Sequence, residues 1–589
     1  MSLLARMLSG PAHLIDRRVG WDRVPKPIGI LVLVGLRERL RRRNLHDTET
    51  GRTVTPAPRP DDIHVRTIDG TWNDLDSPAM GAVGARFGRN VPVRHTFPEE
   101  LPALLDPSPR EVSRKLLTRE RFQPATTLNV LAAAWLQFEV HDWVSHGQAE
   151  PENPWRVQLE DADPWTARPM EIPRTQRDPT SDDDPSTAPT FVTADSHWWD
   201  GSQVYGTKPA FAAALRANED GKLRVDEHGL LPADLEQHLD LAGVEGNFWI
   251  GLGVLHTLFT LEHNAICDRL KRDNPSWADD KLYAKARLVN AALMAKIHTV
   301  EWTPGIIAHP TTQYAMRANW YGILGKRLGK RSKSEVLGGI PGSATDHHGA
   351  PYSLTEEFVA VYRMHPLLPD DYVFRSHETD AVLQERTFRE VGAVETRTRL
   401  HELGVPSALY SLGVAHPGAI ELHNYPRFLQ ELRRPDGTTL DLAATDVVRV
   451  RERGVPRYTE FRQLLGLKPP GSFEELTDNA EWQRELKDVY GDVDRVDTMV
   501  GLYAERKPRG FGFSDTAFRI FILMASRRLK SDRFFTRDYT AEVYTPAGLD
   551  WIDQNSFKSV LLRHYPQLAP ALEGVENGFA PWKRVSAST

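Results

Sequence analysis

Apolar residues in this chain recur every three or four positions over long stretches that end at proline or glycine, while alternation with a period of two is scarce. A chain patterned this way is confined to helices that bury one stripe each against their neighbours. The spacing predicts helices near 110–121, 127–146, 208–217, 247–272, 279–302, 354–365, 382–402, 456–466, 472–488 and 514–529. Long loops join them, notably 173–189, rich in Pro, Ser, Thr and Asp, and 338–351. No internal repeat and no boundary between two cores is visible. The 589 residues therefore read as an all-α chain, mainly helical with long loops, folded as a single large domain.

Composition narrows the function. With 40% hydrophobic residues the chain can build a large core, and a net charge of −7 without a concentrated basic face argues against nucleic acid. One cysteine, Cys267, excludes an intrachain disulfide framework and cysteine-rich metal sites, and suits a reducing compartment. No secretory leader is expected and the apolar run 28–36 is too short to span a bilayer, which points to a cytoplasmic protein. That run is followed by Arg37, Arg39, Arg41, Arg42 and Arg43. Residues 1–45 can thus be a core helix with a solvated basic end, or an amphipathic segment in peripheral contact with a membrane, ahead of a main domain at 46–589.

Four constellations carry chemistry. Tyr362 stands three residues before His365, which Pro366 places at a helix end; if the segment is helical, phenol and imidazole share a face. Ser353 and Glu356 have capping-box spacing ahead of it. Upstream, Gln137 and His141 lie four apart in a helix with Thr126 and Thr127 as caps, a pair able to hold peroxide or water and move a proton, although a core histidine fits as well. In an extended segment Ser196, Asp200 and Ser202 would project from one side, and with Asp142 could ligate a hard cation; an Asx turn is the plainer explanation. Finally His298 with Thr303, and Arg527-Arg528 behind the apolar run 520–525, offer either a carboxylate clamp or a structural ion pair.

The order and wording of these motifs resemble the fatty-acid α-dioxygenases of the animal-type haem peroxidase and cyclooxygenase superfamily. The likeness runs from Leu40 to about Tyr544 and includes 135–143, 198–206, Glu262-His263-Asn264-Ala265, 295–299, 357–369 and 526–535. The resemblance implies a helical fold around haem b, with His141 as distal histidine, Gln137 beside it, His365 as proximal iron ligand and Asn424 in its support. It implies Tyr362 as the radical-forming tyrosine. Calcium would be held by Asp142, Ser196, Trp198 through its carbonyl, Asp200 and Ser202. His298, Thr303 and one arginine of the pair, Arg527 in preference to Arg528, would hold the substrate carboxylate. Superfamily peroxidases are expected to carry an arginine where Leu261 stands before Glu262, a departure that favours the dioxygenase branch. The implied reaction takes a long-chain fatty acid, O2 and an activating peroxide. A tyrosyl radical removes the C2 hydrogen, and the 2-hydroperoxy acid decays to CO2 and an aldehyde one carbon shorter. The alternatives are a haem peroxidase, a mid-chain oxygenase of cyclooxygenase or linoleate type, and a non-catalytic haem- or lipid-binding protein.

Overall fold

The structure, a computed structural model, describes residues 3–48, 63–141, 143–181, 184–234, 239–243, 248–329, 332–433 and 437–586. They form one mainly helical domain around a continuous apolar core that reaches from Ala12 to Trp582. Among the described residues β-structure is limited to two-stranded antiparallel pairs. One of them, Asp371–Arg375 with Val382–Thr387, corrects the helix expected at 382–402: its first part is a half-exposed ribbon, and the helix spans only Glu395–Leu403. β-Branched Val382 and Thr387 suit a pleated edge better than a helix.

The helices that position the site are α1 (Leu3–Arg18), α2 (Lys26–Arg43), α3 (Val130–Val140), α4 (Ile250–Asp273), α5 (Asp279–Ile297), α6 (Glu356–Val361), α7 (Leu442–Glu452) and α8 (Asp515–Ser531). α1 and α2 form a hairpin against α8, fixed by the Trp21 indole N–H on Asp515 (2.8 Å) and by Asp16 with Arg519 (3.1 Å).

α3 is the innermost element, and every one of its residues except Gln137 is buried. A helix whose eleven residues include only two polar ones, Gln137 and Glu139, has no solvent stripe and must be surrounded. Its cap is Asn129, whose side chain accepts from Ala132 N–H, one turn inside the expected threonines. Such a cap contributes ~1 kcal/mol. α4 packs against it and against α5. α5 does not stop where its α-geometry ends. It continues as a π-helical turn, His298–Trp302, in which the Thr303 N–H reaches back to the His298 carbonyl. In an α-helix residues five apart point ~140° away from each other. The wider π turn brings Thr303 over His298, and such turns recur at functional sites.

Candidate active site

Within α3, residues four apart share a face. Trp135 and Glu139 share one and Gln137 and His141 another, so a single rod presents two chemically different surfaces. On the second, the Gln137 side chain accepts from the Trp249 indole (2.8 Å), and the His141 ring lies 5.6 Å from that of His256 on α4. His141 Nδ1 is 2.7 Å from the Gln137 carbonyl. A carbonyl only accepts, so Nδ1 carries the proton and Nε2 presents its lone pair. That Nε2 is buried without a hydrogen-bond partner. Burial lowers the imidazole to about 4, against two backbone carbonyls that pull it up. His141 is therefore a neutral, uncommitted base at neutral pH. The α4 residues that meet this face are Trp249 and His256; sequence reasoning missed both and looked to Leu261, more than a turn further on.

Tyr362 and His365 do not share a helix. α6 ends at Val361 and is capped by Thr355, not Ser353. Tyr362 is its C-cap, and His365 opens a separate 3-10 turn. Pro366 does not set the end of α6, which stops four residues before His365; it is instead the second residue of the 3-10 turn that His365 opens. Behind His365 stands Asp446 of α7: Nδ1 lies 2.8 Å from Asp446 Oδ2, and the Tyr425 hydroxyl donates to the same oxygen (2.9 Å). Burial would raise this aspartate, but Arg363 and His365 outweigh it and hold the carboxyl at about 2. The imidazole is thus fixed by a carboxylate at Nδ1, with its side chain 29% exposed. A histidine backed by a carboxylate is the usual arrangement for a metal ligand. Asn424, expected in this supporting role, instead binds Arg119 and the 419 and 123 carbonyls. Its neighbour Tyr425 and the buried Asp446 take its place. Asp446 was missed in the sequence; an acid among the apolar residues of α7 is the signal that could have found it.

Tyr362 packs on Phe358 (4.3 Å between rings), and burial pushes its phenol far above the ordinary range. Arg528 and Glu139 both act on it electrostatically, in opposite senses. Of the arginine pair, Arg527 points to carbonyls of Ala350 and Pro351 (2.7 Å each) and so fastens a loop. The preference for Arg527 is therefore corrected. Arg528 lies 3.2 Å above the Trp143 ring and 4.9 Å from Trp199, with Nη1 buried and unpaired; no carboxylate pairs with it among the described residues. Residues 527 and 528 sit ~100° apart on α8, so only one can face the core centre.

His298 is stacked on Trp302 (4.6 Å) and edge-on to Trp199 (5.1 Å). Its Nδ1 accepts from the Trp135 indole (3.2 Å). Burial, then Arg528, lowers the ring to about 3. Neutral and with Nδ1 occupied as an acceptor, it carries its proton on Nε2, the tautomer opposite to that of His141. Arg528 and His298 are donors without a carboxylate in contact, and Glu139 acts on Arg528 only at a distance.

In the loop 196–202, Gly201 at φ 81 turns the chain, and Ser202 starts a short helical turn, so the expected extended repeat does not occur. A Cβ at Gly201 would meet the Tyr205 ring at 2.8 Å. Ser196, Asp200 and Ser202 are all buried. Asp200 Oδ2 lacks a hydrogen bond, with Arg287 3.6 Å away. Asp142 lies outside the described residues. A buried carboxylate oxygen and two hydroxyls fit a hard cation.

The sequence pattern of the animal haem peroxidase family matches residues 65–573. The chain is 39% identical to the α-dioxygenase PIOX of Pisum sativum, covering 99% of this chain and 92% of that one. A structure of Oryza sativa fatty acid α-dioxygenase, a tyrosine-to-phenylalanine variant with palmitic acid, superposes with a TM-score of 0.90 at 37% identity, covering 99% of this chain and 98% of that one. The Arabidopsis thaliana fatty acid α-dioxygenase structure gives 0.91 at 36%, covering 100% and 94%. Matched over most of its length by the family pattern and by these relatives, this chain belongs to the animal haem peroxidase family, in its α-dioxygenase branch.

Proposed function

We propose that this chain is a haem-dependent fatty-acid α-dioxygenase that converts a long-chain fatty acid and O2 to the 2-hydroperoxy acid. The observation that carries the reading is Arg528: a buried guanidinium stacked on tryptophans, beside His298 and within electrostatic reach of Tyr362. Nε and Nη2 already donate to the Tyr352 hydroxyl (3.3 Å) and the His197 carbonyl (3.2 Å), so a carboxylate would take a charge-assisted bond from the free Nη1, with His298 Nε2–H and the Thr303 hydroxyl as further donors. Held there, the substrate presents its α-carbon to Tyr362 and no carbon further along, so positioning sets the regiochemistry. This geometry disfavours the mid-chain oxygenase.

The orphaned His141 Nε2 and the carboxylate-backed His365 fit haem between them. When bound, haem supplies the oxidising equivalents, drawn from peroxide, that convert the Tyr362 phenol to a phenoxyl radical. His141 would accept a proton at Nε2, and His365 would hold the iron. The Tyr362 oxygen removes the α-hydrogen, O2 adds to the carbon radical, and the peroxyl recovers a hydrogen from Tyr362. Breakdown of the product to CO2 and the shortened aldehyde needs no further residue. Ser196, Asp200, Ser202 and the Trp198 carbonyl, with Asp142, would hold calcium and so brace the loop that carries Trp199.

Residues 1–45 are proposed as a peripheral membrane contact. Met7, Leu14, Val19, Ile28 and Leu31 are exposed on the α1–α2 hairpin beside Arg17, Arg18 and Lys26. Apolar and basic groups on one surface suit an anionic bilayer. No helix among the described residues is long and apolar enough to cross a membrane.

The test is oxygen uptake by haem-loaded protein given palmitate, which has no bis-allylic hydrogen, with mass analysis of the product. A 2-hydroperoxide or C15 aldehyde is expected, and Tyr362→Phe should abolish it while leaving the Soret band. Uptake that persists in the variant refutes the mechanism.

A further inference from the structure

Glu139 is a carboxyl in the centre of the molecule for which the reaction above has no use. It is fully buried on α3, on the face it shares with Trp135. Its Oε2 accepts from the Trp199 indole N–H (2.9 Å) and the Gln203 amide (3.1 Å), while Oε1 is buried with no partner. Trp199 stands between it and the clamp: the indole lies edge-on to His298, and the Arg528 guanidinium is 4.9 Å from its ring.

The chargeable groups around Glu139 are Arg528 from α8, Tyr362 at the end of α6, His298 after α5, His197 and Asp200 in the Trp199 loop, and His141 and His256 towards α4. Burial keeps the four histidines neutral and the phenol protonated. Asp200 faces Arg287. Arg528 is the one charge that acts on Glu139 among the described residues. Held by the Tyr352 hydroxyl (3.3 Å) and the His197 carbonyl (3.2 Å) and resting on indole faces, it has no carboxylate in contact and acts on Glu139 electrostatically.

An arriving substrate carboxylate competes with Glu139 for that charge. Two carboxylates in a water-poor site cannot both stay ionised against one guanidinium. We infer that Glu139 is the proton acceptor that makes substrate binding possible: as the fatty-acid carboxylate settles on Arg528, Glu139 takes up one proton from solvent and becomes neutral. The balance is substrate anion plus Glu139 carboxylate plus one proton, giving bound anion plus neutral Glu139. In the free protein burial lifts Glu139 to about 7, against Trp199, Arg528 and Gln203, so the group is poised to change state near neutrality. The inference rests on the reading that Arg528 receives the carboxylate.

The experiment is anaerobic titration calorimetry of the haem-loaded protein with decanoate, a chain short enough to stay monomeric. Buffers of different ionisation enthalpy report the protons exchanged. Uptake should be near zero at pH 5.5, about half a proton at pH 7 and approach one at pH 8.5, with affinity falling about tenfold per pH unit above 7. Glu139→Gln keeps an oxygen for the Trp199 indole and should bind decanoate without proton uptake and without that pH slope. Wild-type binding with no proton uptake at pH 8.5, or uptake undiminished in Glu139→Gln, overturns the inference and leaves the carboxylate clamp intact. Arg528→Gln separates the two ideas: loss of decanoate binding supports the clamp, whereas unchanged binding overturns clamp and inference together.

Discussion

His141 and His365 are the same residue type in one core, and the structure prepares them for opposite work. His141 gives its Nδ1 proton to a carbonyl of its own helix and keeps Nε2 buried and idle. His365 lies on a short turn outside α6, with Nδ1 against a full negative charge from Asp446. A neutral partner leaves an imidazole weakly basic and available for protons. A carboxylate partner enriches the ring and suits it to hold a metal. What lies behind the ring decides what the front of it does.

The contrast should fail most visibly at His365. His365→Ala is expected to lose stoichiometric haem, with an effect beyond the ~10–100-fold cost of altering a group behind a metal ligand. Titration of the Soret band measures it, and a variant that retains haem as wild type would reverse the assignment of the two sides. His141→Ala should keep its haem and lose ~10²–10⁴-fold in peroxide-dependent activation, the range of a positioned proton-transfer group. Unimpaired activation in stopped-flow would show that the idle Nε2 is only a packing vacancy. Smallest is Asp446→Asn, which retains the ligand but replaces charge with an amide. A ~10-fold faster transfer of haem to an acceptor protein is expected; equal rates would mean that geometry, and not charge, distinguishes the two histidines.

Much of this was legible in the sequence because it is local. The spacing of Gln137 and His141 places both on one face whatever else happens, and the apolar run before Arg527-Arg528 announces a buried cation. What the sequence withheld depends on where a helix stops and what comes from elsewhere. The separation of Tyr362 from His365 follows from a helix that ends at Val361, four residues short of the expected end at 365. The choice of Arg528 over its neighbour depends on how α8 is rotated against Trp143. Asp446 is 81 positions from His365 and belongs to a helix whose pattern carries no motif. Asn424 was the right neighbourhood and the wrong side chain. His298 and Thr303 were paired in the sequence, but the π turn between them is a deviation that periodicity cannot register.

The rod Val130–Val140 also governs how such a protein can change over generations. Its two faces carry Gln137 and His141 on one side and Trp135 and Glu139 on the other, and the loop of Trp199 hangs from it through the Glu139 carboxyl. A single inserted or deleted residue within it would turn everything beyond by ~100°. All three dependencies would be lost in one event, with no intermediate that keeps two of them. Variation in length therefore has to be taken up in exposed connections such as 173–189, and descendants of this sequence can diverge widely at their surface while the register of eleven residues stays where it is.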